Sequence, residues 1–215
     1  MLKQRIITAV ILAPLAIAGF VFLEGLWFAL FIGAVVALGG WEWARLAGET
    51  SQAGRVLYAV VVALLILVMY RASWPVQYVL VPAVIWWIVA ALLVVRYPKD
   101  RGLWANPRVA QVFGLLILLP AWAGLVWLRQ VPHGLWLIMA LMVLVWAADI
   151  GAYFAGKTWG RRKLMPNVSP GKTIEGFLGG LVFTQVATLI GLLYLGWSAS
   201  AVLLGLLGAA LVVVF

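Results

Sequence analysis

Asp149 is the one acidic residue set inside a long apolar run, and within 26 residues it is followed by Lys157, Thr158, Arg161, Arg162, Lys163, Ser169, Lys172, Thr173 and Glu175. A third of the chain's fifteen basic residues lie in this segment, DIGAYFAGKTWGRRKLMPNVSPGKTIEG at 149–176. A carboxylate suits a hard cation, lysine is a point charge for phosphate, and hydroxyls and glycine-flanked amides donate to phosphate oxygens. Together these groups suit chemistry on a phosphate. The alternative is that the charges serve membrane topology alone.

Apolar segments must position them, because the chain has little else. It is 67% hydrophobic and 10% charged, with a mean hydropathy of +1.14. Such a composition cannot cover a soluble domain with polar side chains, so it describes an integral membrane protein. The apolar runs are continuous and do not alternate, which argues against a barrel and fits helices crossing a hydrocarbon core about 30 Å thick. The expected fold class is all-α, a polytopic bundle in which each helix satisfies its own backbone. Runs at 6–23, 26–43, 56–70, 76–95, 109–128, 134–155, 174–196 and 198–215 predict about eight transmembrane helices in a single domain, 1–215. The breaks at Glu24–Gly25 and Gly196–Ser198 are short enough for tight helical hairpins. With no cysteine, disulfides, thiolate metal sites and cysteine nucleophiles are excluded.

The cations sort by loop. Lys3 and Arg5, then Arg45 and Arg55, then Arg96, Lys99, Arg101 and Arg108, then Lys157, Arg161, Arg162, Lys163 and Lys172 fall in alternate loops, against Arg71 and Arg129 on the other side. Thirteen against two puts the amino terminus and the 157–172 loop in the cytoplasm. The first run has basic residues ahead of it but no polar cleavage region behind it, so it reads as a permanent helix and not a signal peptide. For loops such as 96–108, positive charge inside is explanation enough. Trp41, Trp43, Trp104, Trp122 and Trp127, near span ends, read as interfacial anchors, and His133 as a loop residue. Gly176 and Gly180 read as a close helix–helix contact.

Asp149 resists such a reading, since a carboxylate within a span costs about 2.5–3.5 kcal/mol even on the lenient insertion scale. If its helix continues to Gly156, then Ala152, Tyr153 and Gly156 share its face, and the small residues leave room for an ion or a ligand. The competing reading is an Asp paired with an arginine of another helix. GAYFAGKT at 151–158 satisfies the P-loop pattern, but that loop must follow a strand and open a helix. Here it follows a membrane span, and two prolines come after it, at Pro166 and Pro170. A soluble-type P-loop is therefore excluded, while the phosphate-binding character of the residues survives.

VWAADIGAYFAGKTWGRRKLMPNVSPGKTIEGFLGG resembles the core segment of bacterial phosphatidate cytidylyltransferases (CDP-diacylglycerol synthases), with its Asp-x-x-Ala-Tyr block, Gly-Lys, Lys-Leu, Ser-Pro-x-Lys-Thr and Glu-Gly. MLKQRIITAVILAPLAI at the start and WEWARL at 41–46 extend the resemblance over most of the chain. It implies transfer of a cytidylyl group from CTP to phosphatidic acid with a divalent metal such as Mg2+, in the bacterial inner membrane. By the same resemblance Asp149 is a metal or catalytic carboxylate, and Lys157, Ser169, Lys172, Thr173 and Glu175 fall on active-site positions. The chemistry suits the residues. Several negative charges meet when a phosphate monoester attacks a nucleotide, so neutralising and aligning them matters more than a covalent nucleophile. Lys157 and Lys172 would offset phosphate charge; Ser169 and Thr173 would donate hydrogen bonds; Gly156 and Gly171 would shape the binding surface. Arg161 and Lys163 would draw in anionic lipid.

The resemblance departs at one place: the family's Asp-Arg-x-Asp signature lies towards the carboxyl terminus, and the chain stops at Phe215 without it. The expectation is a truncated chain lacking one half of its active site and inactive alone. Tryptophan-rich faces permit a homodimer, and no nucleic-acid partner is expected. The competing classes are another CTP-dependent lipid enzyme, such as a polyprenol kinase or an archaeal-lipid cytidylyltransferase, and a multi-span transporter. Against the transporter stand the absence of a clear inverted repeat and the gathering of polar residues at one surface.

Overall fold

A computed structural model of the chain describes residues 13–99, 102, 105–194, 196 and 198–214. Lys3, Arg5, Arg101 and Trp104 lie outside the described residues. In chain order come α1 (Ala13–Phe22), α2 (Gly25–Leu46), α3 (Gln52–Ala72), α4 (Gln77–Arg96), α5 (Pro107–Gln130) and α6 (Gly134–Trp159). Strands β1 (Lys163–Met165) and β2 (Ser169–Thr173) follow, then α7 (Ile174–Tyr194) and α8 (Ala199–Val214). Helices α2 to α7 are each long and apolar enough to cross a membrane. The chain is a multi-pass, all-α membrane protein, and its helix boundaries follow the apolar runs closely. The two strands are an addition that hydropathy does not signal.

The chain divides into two compact units, residues 1–86 with 101–138, and residues 87–100 with 139–215. In the first, α2 packs on α3 and α5. Its buried face recurs every fourth residue at Phe28, Ile32, Val36, Gly40 and Ala44, which keeps one stripe turned inward. Tyr58, Val62 and Ile66 of α3 and Trp122, Ala123 and Val126 of α5 complete this core. Helix starts are set by local chemistry. Ser51 accepts from the Gly54 N–H at 3.0 Å, and Asn106 accepts from the Arg108 N–H at 2.9 Å ahead of Pro107.

Two of the tryptophans expected to be interfacial anchors tie helices together instead. Trp122 is only 4% exposed and donates to the Ala29 carbonyl at 3.0 Å, while Trp43 donates to the Ala110 carbonyl at 2.7 Å. Tyr58 does the same towards the Gln111 carbonyl at 2.6 Å. Where water is scarce, an indole or phenol that finds a carbonyl is worth more inside the bundle than at its edge.

The second unit carries the residues with chemistry. Helix α7 packs against α8, and Gln185 donates across that contact to the Leu206 carbonyl at 3.0 Å. Thr184 and Thr188, both buried, donate back along α7 to the carbonyls of Gly180 and Thr184, at 2.9 and 2.8 Å. Their hydroxyls thus need no partner from another helix.

Candidate active site

Helix α6 continues past Gly156 to Trp159, so Asp149, Ala152, Tyr153 and Gly156 do share one face. The P-loop-like stretch is helix until Trp159 and forms no loop around a phosphate. Beyond Trp159 the chain turns through Gly160, Arg161 and Arg162 and enters the antiparallel pair β1–β2, in which Lys163 faces Thr173 and Met165 faces Ser169. A tight turn at the tip is closed by the Val168 N–H to the Met165 carbonyl at 3.1 Å. Two steps along β1 are matched by four along β2, so Pro170, Gly171 and Lys172 bulge from the ladder. Proline cannot donate to a ladder, and a bulge re-aims the side chains beside it.

Small residues set α7 against α6. A Cβ added at Gly176 would stand 3.0 Å from the Ala152 carbonyl oxygen, and one at Gly180 2.9 Å from that of Ala148. One at Gly151 would stand 2.6 Å from the Gly179 carbonyl oxygen. The backbones of α6 and α7 therefore touch, as the Gly176–Gly180 spacing predicts. Thr173 caps α7 by accepting from the Gly176 N–H at 3.1 Å, which leaves its hydroxyl proton as a donor.

Between these elements lies a cavity of about 800 Å³, in the size range of small-molecule sites. Asp149, Tyr153, Lys157, Ser169, Lys172 and Thr173 supply its polar lining, with Gly156, Gly171 and Gly176 between them. Val94, Val145, Phe177, Val212 and Val213 supply apolar wall. Lys157 lies 3.4 Å from the Tyr153 hydroxyl, one turn back towards Asp149, with its ammonium 5.5 Å from the ring centroid. Asp149 is exposed and, among the described residues, makes no ion pair. The reading of an Asp neutralised by an arginine of another helix finds no support here.

Three residues expected at the site stand apart from this cavity: Arg161, Lys163 and Glu175 are not in its lining. Glu175 accepts from the N–H groups of Arg161 and Arg162, each at 3.1 Å, and from Arg162 Nε at 3.0 Å. Sequence reasoning did not find this partnership, nor the Tyr153–Lys157 contact. For the second a signal exists in the i, i+4 spacing; for the first there is none, because it depends on a hairpin.

The cytidylyltransferase family matches residues 3–215, nearly the whole chain. The chain belongs to that family. Among curated relatives of this cytidylyltransferase, the phosphatidate cytidylyltransferase of Pseudomonas aeruginosa is 58% identical over 213 residues, covering 99% of this chain and 79% of the relative. That of Haemophilus influenzae is 36% identical over 208 residues, covering 88% and 72%. The Bacillus subtilis enzyme of the same name is 50% identical over 58 residues, 27% of this chain and 22% of the relative. No solved structure matches the chain.

Proposed function

We infer that this cytidylyltransferase acts on CTP and phosphatidate: a phosphate oxygen of the lipid attacks the α-phosphorus of CTP, the α–β bridge breaks, and CDP-diacylglycerol and pyrophosphate leave. The observation that carries the reading is the cavity itself, which joins two lysines, three hydroxyls and one carboxylate to a largely valine wall. A nucleotide triphosphate and a lipid phosphate need the first set, and an acyl chain suits the second. Lys157 and Lys172 neutralise phosphate oxygens and keep the two anionic substrates together. Ser169 and Thr173 donate hydrogen bonds that orient them. Tyr153 holds the Lys157 ammonium.

A divalent cation such as Mg2+ fits this donor set. Among the described residues no three His, Cys, Asp or Glu side chains cluster as a protein-only metal cage. Mg2+ is commonly bound through one or two carboxylates, with waters and substrate phosphates completing its shell. Asp149 would hold it with the nucleotide's phosphates, and it would supply charge neutralisation at the reacting phosphorus. The loop charges support an inner-membrane orientation with the hairpin in the cytoplasm, where CTP is found.

The test is positional labelling in the full-length protein. With CTP labelled at the α-phosphate, label should pass to a lipid product; with CTP labelled at the γ-phosphate, it should pass to pyrophosphate. γ-Label in lipid would mean a lipid kinase and would overturn the reading.

A further inference from the structure

Glu175 belongs to the segment that suggested the site, yet both oxygens of its carboxylate are engaged elsewhere. One oxygen receives the adjacent N–H groups of Arg161 and Arg162, both at 3.1 Å, and the other receives Arg162 Nε at 3.0 Å. Successive backbone N–H groups form a concavity suited to an anion, and here the chain's own carboxylate occupies it. The same turn is closed a second time, by the Ile174 N–H to the Arg162 carbonyl at 2.9 Å. The Glu175 side chain is 20% exposed and that of Arg162 69%. The two backbone bonds therefore do most of the holding, and the more solvated guanidinium orients the carboxylate.

We propose that Glu175 is a positioning residue, a latch that ties the Gly160–Arg162 turn to the start of α7 with Arg162 as its partner. Its effect passes through the backbone. Glu175 is two residues from Thr173 and three from Lys172, and the turn it holds begins three residues after Lys157. With the latch closed, β2 keeps Ser169 and Lys172 at a fixed reach from Lys157 across the cavity. With it open, the hairpin swings on Gly160 and Ile174, and the phosphate-binding groups no longer converge. For its consequence in catalysis the proposal rests on the cytidylyl-transfer reading; for the latch itself it does not.

Four variants of the full-length protein in detergent–lipid micelles test it: Glu175→Ala, Arg162→Met, Arg162→Lys and the double variant Glu175→Ala/Arg162→Met. Loss of charge-assisted hydrogen bonds should lower kcat/KM of Glu175→Ala by about 10–100-fold, chiefly as a raised KM for CTP. Arg162→Met should fall by less, Arg162→Lys should recover part of that loss, and the double variant should be no worse than Glu175→Ala, because both act on one contact. Melting temperature and helical content check that each variant is folded. If Glu175 instead contacts metal or substrate, kcat of Glu175→Ala collapses at unchanged KM, Arg162→Met behaves as wild type, and the double variant is multiplicative; that pattern overturns the proposal.

Amide hydrogen exchange separates the two readings. The Arg161 and Arg162 amides should exchange slowly in wild type and fast in Glu175→Ala. Were the wild-type protein to form no CDP-diacylglycerol, the cytidylyl-transfer reading would fall while exchange still decided the latch. Fast exchange in wild type would overturn the latch whatever the activity.

Discussion

Asp149 sits ten residues before the end of α6, about 15 Å along the helix. At that depth a carboxylate is costly, since hydrocarbon offers it no solvation, and we propose that its charge is used. It faces the cavity without an arginine, among the described residues, to neutralise it. Asp149→Asn keeps the volume and removes the charge. Turnover should fall by about 10²–10³-fold or more, the range for losing one preorganised electrostatic contact, while the melting temperature in detergent stays within a degree or two or rises. Near-normal turnover would remove Asp149 from the chemistry. Tyr153→Phe makes a useful contrast. It removes one neutral hydroxyl 3.4 Å from Lys157, so activity should fall by no more than about tenfold, the weight of one ordinary hydrogen bond. A larger loss would mean that the phenol itself meets substrate.

At the scale of elements, the site depends on two helices approaching closely enough for their backbones to touch. Gly180 faces the Ala148 carbonyl, and a Cβ there would come within 2.9 Å of it; Gly191, further along the same helix, has nothing within 4 Å. Gly180→Leu should therefore destabilise the purified protein by about 1–3 kcal/mol, the usual weight of overpacking, and Gly191→Leu should not. Thermal unfolding of the two variants side by side is the measurement, and equal stability would refute the close contact. The same elements show what was legible in the chain. Continuous apolar runs mark the helices because lipid selects for hydrocarbon at every position, and the Gly176–Gly180 spacing marks the contact because close approach needs small residues. The cavity residues Asp149, Lys157, Ser169, Lys172 and Thr173 were readable as a cluster for the same reason: charge is rare here and stands out. The β1–β2 pair was not readable, since WGRRKLMPNVSPGKT has neither alternation nor β-branched enrichment and its pairing contains a bulge. Trp43 and Trp122 misled for a related reason. An indole at a span end suits the interface and an interhelical carbonyl alike, and only packing chooses between them.

At the scale of the whole molecule, the question is which side of the membrane receives CTP. Helix α6 is 26 residues, about 39 Å at 1.5 Å per residue, and so exceeds a hydrocarbon core of about 30 Å. Its two ends, the His133 turn and the 160–173 hairpin, must lie on opposite sides. We propose that the hairpin's side is the cytoplasmic one, because the sequence distributes thirteen of its fifteen cations to alternate gaps between apolar runs that include the hairpin. The absence of cysteine from these 215 residues makes this directly measurable, because single-cysteine variants carry no background within them. In right-side-out spheroplasts, His133→Cys should react with a membrane-impermeant maleimide. Asn167→Cys, exposed near the hairpin tip, should react only after the membrane is permeabilised. Each variant checks the other, since α6 alone separates the two positions. Labelling of both from outside would deny that α6 spans, and labelling of Asn167→Cys alone would invert the topology and leave the cavity proposed to bind phosphate facing away from its nucleotide.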